Sequence, residues 1–463
     1  MSIQLSGTPS AIAGDRGASD PTVPTVRLLA LVVLGGTLEF YDFIIFIFLA
    51  PEIGRLFFPD QTTTWAAMVQ TYGIFGLGYL VRPLGGIILA HFGDLFGRRW
   101  TFLFSILLMC LATIGIALLP TYQTIGVAAP ILLVILRLMQ GAAIGGEVPG
   151  AWTFISEHLP LRRVGLGCGM ICSGFGFGIL LGTSINAAID ALLSADAMMD
   201  FGWRIPFLIG GVFGLIAVYL RIWLRETPVF AEMARQRMLV SELPLKVVLR
   251  NHKPAVIVAI LLTWYLSAGI VVTTLMTPTF LRVLYGYTAQ QALAATSIGA
   301  IFVIIGTVCS GALIDKIGTK SFFLYAGLMF AVATTAFYSL AGVSVLLGFA
   351  LNALLGLAVG MNAGVPFVMV RSFPARIRFS GVSFSYNLSY AFFGGLTPVA
   401  ITSLLPFNSM AHLYFLLIIA LITFAVGIYL RKTAHRFDYP VGIEEQNAYG
   451  PDATERSVQP GIA

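Results

Sequence analysis

Long apolar stretches, separated by short polar segments, run through most of the chain. Twelve of them are long enough to cross a bilayer as a helix, which takes about 20 apolar residues. They lie at about residues 27–57, 63–91, 98–119, 126–158, 163–193, 203–225, 256–282, 291–314, 321–340, 344–370, 379–405 and 411–431. The pattern therefore predicts an all-α polytopic membrane protein with twelve transmembrane helices.

The composition supports lipid as the solvent for most of this surface. The chain has 463 residues, of which 58% are apolar and 10% are charged. Soluble domains are roughly a quarter charged, so a soluble protein of this size is excluded.

The positive charges indicate the topology. Most of the 27 Lys and Arg residues fall on alternate connections, as the positive-inside rule requires when both termini are cytoplasmic. Residues 1–26 are polar and lack a signal-peptide core. We therefore expect a multi-pass protein of the bacterial inner membrane. The net charge of +6 is spread between apolar segments, which argues against a nucleic-acid partner.

A polar stretch divides the helices into two sets of six. The predicted organisation is a cytoplasmic tail (1–26), a first six-helix bundle (27–225), a cytoplasmic linker (226–254), a second six-helix bundle (255–431) and a cytoplasmic tail (432–463). The halves also repeat a motif, since Asp, Gly three residues later and a basic residue five later occur at both 94–99 and 315–320. Repeated bundles are typical of transporters with a site between them, and we expect a monomer in the lipid bilayer.

Several motifs then identify a family resemblance. They are 36–43 (GTLEFYDF), 82–86 (RPLGG), 93–99 (GDLFGRR), 137–141 (RLMQG), 145–147 (GGE), 203–207 (WRIPF), 224–230 (LRETPVF) and 393–395 (FGG). In this order and at these topological positions, they resemble the major facilitator superfamily, and within it the metabolite:proton symporters. The resemblance implies two six-helix bundles that move a small-molecule substrate together with a proton.

Ionisable side chains at membrane depth are expensive, so each one suggests a function. Asp42 and Glu147 are the first candidates for carrying the proton, and Glu39 is the third, because a buried carboxylate near an Arg can change its charge. Arg137 belongs to the superfamily motif, and the resemblance places it in the same coupling network. The alternative is a permanent ion pair that only joins helices.

Arg82 is the candidate for binding a substrate carboxylate, because its planar fork suits one. The alternative is a structural pairing with Glu39 or Asp42. Further substrate contacts are predicted from neutral residues at Gln140, Trp264, Tyr265, Asn362, Tyr386 and Asn387. Polar side chains in membrane helices also often bond only a neighbouring helix, and that alternative stays open for each of them.

The loop motif predicts a conformational gate. By resemblance, Asp94, Arg98 and Arg99 brace one end of the two halves, and Gly97 permits the tight turn between helices. Asp315 occupies the equivalent position in the second half, and Glu157 is a candidate partner for Arg98. The alternative is that the arginines only enforce topology.

The sequence thus favours proton-coupled symport of a small organic acid by alternating access. Uptake of a zwitterionic osmolyte such as betaine or proline is the alternative. A membrane-embedded enzyme or a transporter-like sensor is less favoured, because no nucleophile or acid–base cluster stands out and neither tail is long. The four cysteines lie in apolar stretches without metal-ligand spacing, so we expect neither a metal nor a cofactor.

Overall fold

The computed structural model describes residues 25–59, 64–222, 244–405, 407–433 and 437–441. All twelve predicted stretches are helical, and no strand occurs among the described residues. Most of the predicted tails, 1–26 and 432–463, and most of the predicted linker, 226–254, lie outside the described residues. The all-α prediction is confirmed.

The first half contains six membrane-crossing stretches, α1 to α6. They are α1 (Thr25–Phe48 and Ala50–Phe57), α2 (Thr64–Phe96), α3 (Arg98–Leu118), α4 (Ala128–His158), α5 (Val164–Leu192) and α6 (Arg204–Ile222). The end of α2 is set by Gly97, which separates it from α3 with a φ of 110°. Only glycine adopts this conformation without strain, which accounts for the tight turn expected there.

The second half repeats the plan with α7 to α12, but three of its helices change their winding. The stretches are α7 (Lys253–Ile270, Val271–Met276 and Thr277–Val283), α8 (Ala289–Ile317), α9 (Thr319–Leu340), α10 (Val345–Gly360, Met361–Ala363 and Gly364–Arg371), α11 (Arg378–Ser389, Tyr390–Gly394 and Gly395–Leu404) and α12 (Ala411–Thr433). The middle segments of α7 and α11 are π-helical and that of α10 is a 3-10 turn. Such interruptions are frequent at functional sites.

The spans agree with a membrane protein. Within the described ranges, nine helices are individually long and apolar enough to cross a bilayer. The pair Ala195–Gly202 and Arg204–Tyr219, bent by 43°, makes a tenth. The interrupted stretches α1 and α11 complete the twelve.

The two halves meet along two helix pairs, α2 with α11 and α5 with α8. Glycine allows the second pair to approach closely, since a Cβ added at Gly169 would lie 2.4 Å from the Thr307 carbonyl oxygen. A Cβ at Gly311 would likewise lie 2.5 Å from the carbonyl oxygen of Gly165. Small residues are the usual means of bringing membrane helices together, and the candidate site lies between these pairs.

Candidate functional site

A chain of four buried polar side chains crosses the first half. Arg137 on α4 donates from Nη1 to Gln140 Oε1 at 2.7 Å, and Gln140 Nε2 donates to Thr113 Oγ1 on α3 at 2.7 Å. Thr113 Oγ1 in turn donates to Asp42 Oδ2 on α1 at 3.5 Å. None of the four residues is more than 1% exposed. The arrangement connects a permanent cation to a carboxylate through two neutral groups, and we call these residues the polar relay.

Asp42 is the last residue of the polar relay, and its carboxylate packs closely against α6. A Cβ added at Gly210 would lie only 2.1 Å from Asp42 Oδ1, so the carboxylate fits because this position has no side chain. Oδ1 has no hydrogen-bond partner, and within the described ranges Asp42 forms no ion pair. A buried carboxylate that makes so few charge-stabilising contacts is suited to taking up a proton.

Arg137 is held by aromatic rings as well as by Gln140. Its guanidinium carbon lies 4.2 Å from the ring centre of Phe46 and 5.1 Å from that of Phe75. Aromatic faces stabilise a desolvated cation, and Arg stays protonated in proteins. Gln140, which the sequence predicts as a substrate contact, uses both ends of its amide here to connect Arg137 to Thr113.

The other two predicted proton carriers lie apart from the polar relay or cannot be described. Glu147 is 2% exposed and accepts a hydrogen bond from Ser105 on α3 at 2.9 Å. It lies ten residues after Arg137 on α4, which is about 15 Å along the helix. The side chain of Glu39 lies outside the described part of the chain.

Arg82 on α2 lies at the boundary between the halves and is 2% exposed. Its Nε donates to Asn387 Oδ1 on α11 at 3.3 Å. Its guanidinium carbon lies 4.6 to 5.3 Å from the ring centres of Tyr390, Tyr386 and Tyr79. Among the residues that the structure describes, no carboxylate pairs with Arg82, and its Nη2 has no hydrogen-bond partner. The alternative of a structural pair between Arg82 and Asp42 is therefore not found, and a pair with Glu39 falls on a side chain outside the described part.

A small cavity lies between the halves and has a volume of about 30 Å³; two of its lining residues, Tyr386 and Tyr390, also contact Arg82. Its lining residues are Phe40, Trp152, Cys172, Phe175, Gly176, Ile179, Leu266, Ile270, Thr274, Ala300, Val303, Thr307, Asn362, Tyr386 and Tyr390. Five of these are aromatic, and they come from both halves. Three of the lining residues, Thr274, Asn362 and Tyr390, belong to the interrupted segments of α7, α10 and α11. The interrupted segments of α7, α10 and α11 thus face the cavity.

Of the predicted second-half contacts, Asn362 and Tyr386 line this cavity, but Trp264 and Tyr265 do not. Tyr265 donates its hydroxyl to the Ala358 carbonyl oxygen at 3.2 Å, and Trp264 stacks on Phe393 with ring centres 4.0 Å apart. The reason is helical periodicity, because α7 turns positions 266, 270 and 274 towards the cavity. The aromatic lining at Phe40, Trp152, Phe175 and Tyr390 was missed from sequence, although Tyr386 and Tyr390 are spaced four apart, on one helix face.

One end of the bundle, predicted to be cytoplasmic, is closed by carboxylates that reach across the halves. Asp94 Oδ2 accepts from the backbone N of Ser380 at 3.0 Å and from its hydroxyl at 2.7 Å, at the start of α11. Asp315 accepts from the backbone N of Gly165 and Leu166, both at 2.8 Å, at the start of α5. A carboxylate at a helix N-terminus satisfies free N–H groups and favours the helix dipole. The repeated sequence motif therefore makes the same contact twice.

A buried ion pair completes this closed end. Glu157 Oε1 of the first half lies 3.2 Å from Arg378 Nη1 of the second, and both side chains are 0% exposed. The predicted partner Arg98 has a side chain outside the described part. Arg99 Nη2 donates to the Ile222 carbonyl oxygen at the end of α6, in the same half, at 2.9 Å. Glu157 thus forms an ion pair between the halves, while the expected pair with Arg98 lies outside the described side chains.

Residues 437–441, which we call the C-terminal strap, pack against the same end. The backbone N of Tyr439 donates to the Arg371 carbonyl oxygen at 3.0 Å, and Arg371 forms an ion pair with Asp438. Arg378 Nη2 donates to the Pro440 carbonyl oxygen at 3.0 Å. The following residue, Val441, is 0% exposed. The C-terminal strap therefore contacts the very arginine that pairs with Glu157.

Comparisons with known proteins agree with this architecture. The chain is 30% identical over 429 residues to the glycine betaine/proline/ectoine/pipecolic acid transporter OusA of Dickeya dadantii, covering 89% of this chain and 84% of that protein. It is 32% identical over 380 residues to the citrate-proton symporter of Klebsiella pneumoniae, covering 81% and 85%. The solved structure of the proton:xylose symporter XylE bound to 6-bromo-6-deoxy-D-glucose superposes with a TM-score of 0.76 at 18% identity, over 92% of this chain and 98% of that one.

These relatives and this fold are those of polytopic membrane transporters rather than enzymes. Among the described residues, no group of three or more His, Cys, Asp or Glu side chains is placed to hold a metal ion. The model of the Major Facilitator Superfamily matches residues 32–398, which is most of the chain. The chain therefore belongs to the Major Facilitator Superfamily.

Proposed function

We propose that the chain is a proton-coupled symporter of a small solute that carries a carboxylate group. The observation that carries the proposal is Arg82, a buried cation between the halves with no carboxylate partner among the described residues. A desolvated charge is costly unless it is paired. A substrate carboxylate would supply the missing partner, and the free Nη2 of Arg82 would donate to it.

The proton is assigned to Asp42. In the polar relay, Arg137 stabilises the charged carboxylate through Gln140 and Thr113, while burial against Gly210 favours its neutral form. A carboxylate under both influences can load a proton on one side of the membrane and release it on the other. Glu147 is the second candidate, since it is buried on α4 beside Ser105.

The contacts that hold one end of the bundle together support alternating access. The carboxylate contacts at Asp94, Asp315 and Glu157 seal one side of the cavity. The cavity, of about 30 Å³, is well below the roughly 300–1,000 Å³ that ligand pockets usually offer. The halves would therefore move apart to admit a solute, and movement at the sealed end would release it. We place that end, and both termini, on the cytoplasmic side of a bacterial inner membrane, with the monomer as the working unit.

A zwitterionic substrate is the second candidate, and the aromatic lining favours it. The cavity is lined by five aromatic residues, Phe40, Trp152, Phe175, Tyr386 and Tyr390, and the last two also contact the buried cation Arg82. Aromatic faces bind substituted ammonium groups, while Arg82 would take the carboxylate. The relatives named as betaine and proline transporters fit this pairing. A tricarboxylate would need more positive charge than Arg82 supplies.

The test is uptake by the purified chain in sealed proteoliposomes with an imposed pH difference. Radiolabelled glycine betaine, proline, citrate and a small monocarboxylate serve as the panel. We expect a solute with one carboxylate to accumulate when the outside is acidic, and a protonophore to abolish accumulation.

Comparing uptake by Arg82→Gln with uptake by Arg82→Lys distinguishes a loss of substrate binding from a loss of folding. Because Lys keeps the charge but loses the planar fork, it should retain part of the uptake, whereas Gln should retain none. Uptake that ignores the protonophore, or an Arg82→Gln variant with unchanged KM, would contradict the proposal.

A further inference from the structure

Asn387 makes contacts with both halves, although it belongs to α11 of the second half. It is 0% exposed. Its Nδ2 donates to the Gly145 carbonyl oxygen on α4 at 2.6 Å and to the Ser383 carbonyl oxygen in its own helix at 2.9 Å. Its Oδ1 accepts from Arg82 Nε on α2. One amide group thus joins α11 to two helices of the first half.

These contacts depend on close packing of the halves. A Cβ added at Gly86 on α2 would lie 2.4 Å from Asn387 Nδ2 and 2.7 Å from Ser383 Oγ. A Cβ added at Gly145 would lie 2.3 Å from the Arg82 carbonyl oxygen. Asn387 therefore reaches Arg82 because glycines leave no side chains between the helices. A separation of the halves at this depth would break the hydrogen bond.

Most of the side chains that contact the Arg82 guanidinium also belong to α11. Asn387 holds Nε, and the rings of Tyr386 and Tyr390 cover the guanidinium at 5.1 and 4.6 Å. The remaining ring, Tyr79, lies on the same helix as Arg82. When α11 moves away, the guanidinium loses three of these four neighbours together.

We propose that Asn387 is a positioning residue that couples the orientation of Arg82 to closure of the two halves. In the closed arrangement the Asn387 amide fixes Nε and leaves Nη2 available for a carboxylate. On opening, the same guanidinium is released, gains access to water and holds an anion less tightly. The affinity of the site then changes with the access state, which favours release. This inference rests on the proposed role of Arg82 in binding a carboxylate.

The first test needs no solute. Spin labels at Arg162→Cys and Lys316→Cys, both exposed at the closed end in opposite halves, report opening by pulsed electron paramagnetic resonance in nanodiscs. The background replaces Cys110, Cys168, Cys172 and Cys309. Asn387→Ala, Arg82→Gln and the double variant form a cycle. Since one buried hydrogen bond is worth about 0.5–1.5 kcal/mol, we expect Asn387→Ala to lower the closed-to-open ratio roughly two- to tenfold.

The double-mutant cycle distinguishes a residue that positions Arg82 from one that only holds the two halves together. If Asn387 acts through Arg82, the double variant should resemble the more affected single variant, because residues that share a contact do not add. Asn352→Ala is the matched control, since Asn352 is a buried amide that donates to Ala295 O within the second half. It should leave the ratio unchanged and be additive with Arg82→Gln. Additive effects of Asn387→Ala and Arg82→Gln would overturn the inference.

A second measurement tests affinity directly. In proteoliposomes supplied with labelled glycine betaine and proline, Asn387→Ala should raise KM for the transported solute more than it lowers kcat. Gly86→Ala, which displaces the amide without removing it, should act in the same direction. If the panel shows no transport but the cycle is coupled, the proposed function fails and the positioning role stands. An unchanged KM in both variants would overturn the positioning role even when transport is intact.

Discussion

The two halves share a six-helix plan but bury different chemistry. Among the described residues, the first half buries six charged side chains, at Asp42, Arg82, Asp94, Arg137, Glu147 and Glu157, whereas the second buries only Arg378. The second half instead has the interrupted helices α7, α10 and α11. The comparison suggests that the first half binds the proton and the charged group of the solute, whereas the second half changes conformation around the solute.

The largest expected effect comes from removing the acid of the polar relay. Asp42→Asn keeps the size of the side chain but cannot carry a proton, so we expect accumulation against a gradient to stop while solute exchange persists. Uptake and counterflow in the same proteoliposomes measure both. Asp200→Asn, at an exposed carboxylate, is the control and should behave like the parent chain. Normal accumulation in Asp42→Asn would exclude Asp42 as the proton carrier and leave Glu147 as the candidate.

A smaller effect is expected at the contact between the halves. Glu157→Gln leaves Arg378 buried without its carboxylate, and breaking a buried ion pair costs about 3–5 kcal/mol. The closed-to-open ratio at the Arg162 and Lys316 labels should fall at least about a hundredfold.

Ser156→Ala is the control for local packing at this position, because the Ser156 hydroxyl donates to the Thr153 carbonyl oxygen within α4. It should leave the distance distribution unchanged. A closed end that survives Glu157→Gln would mean that Asp94 and Asp315 suffice to hold it.

The smallest effect is expected when a buried Thr is replaced by Val, a change that can be made once in each half. Thr113→Val removes the hydroxyl that connects Gln140 to Asp42, and we expect uptake to slow about tenfold because buried polar groups lose partners. Thr334→Val removes a buried hydroxyl of α9 that bonds only carbonyls of its own helix. It should stay within about twofold of the parent, because Val has nearly the same shape and no other helix loses a hydrogen-bond partner. Equal effects would contradict the division between the halves.

Much of the fold was predictable because helix length and charge placement are local in sequence. The twelve helices follow from apolar stretches, and the repeated Asp94 and Asp315 motifs make equivalent contacts. The site was less predictable, because its contacts join residues far apart. Arg378 reads as a loop cation from sequence, yet it is 0% exposed because Glu157, 221 positions away, packs over it. Which face of α7 meets the cavity was also not predictable, and the predicted contact Tyr265 is not among the residues that line it.

The C-terminal strap has a consequence for how the chain is handled. Pro440 supplies a carbonyl oxygen to Arg378, and Val441 is fully covered. An expression design that stops after Thr433, or that joins a tag or fluorescent protein before Val441, would remove an acceptor from a guanidinium that water cannot reach. The junction of any fusion therefore belongs beyond Val441, and a purified fragment cut shorter would report on a damaged closed end rather than on the native transporter.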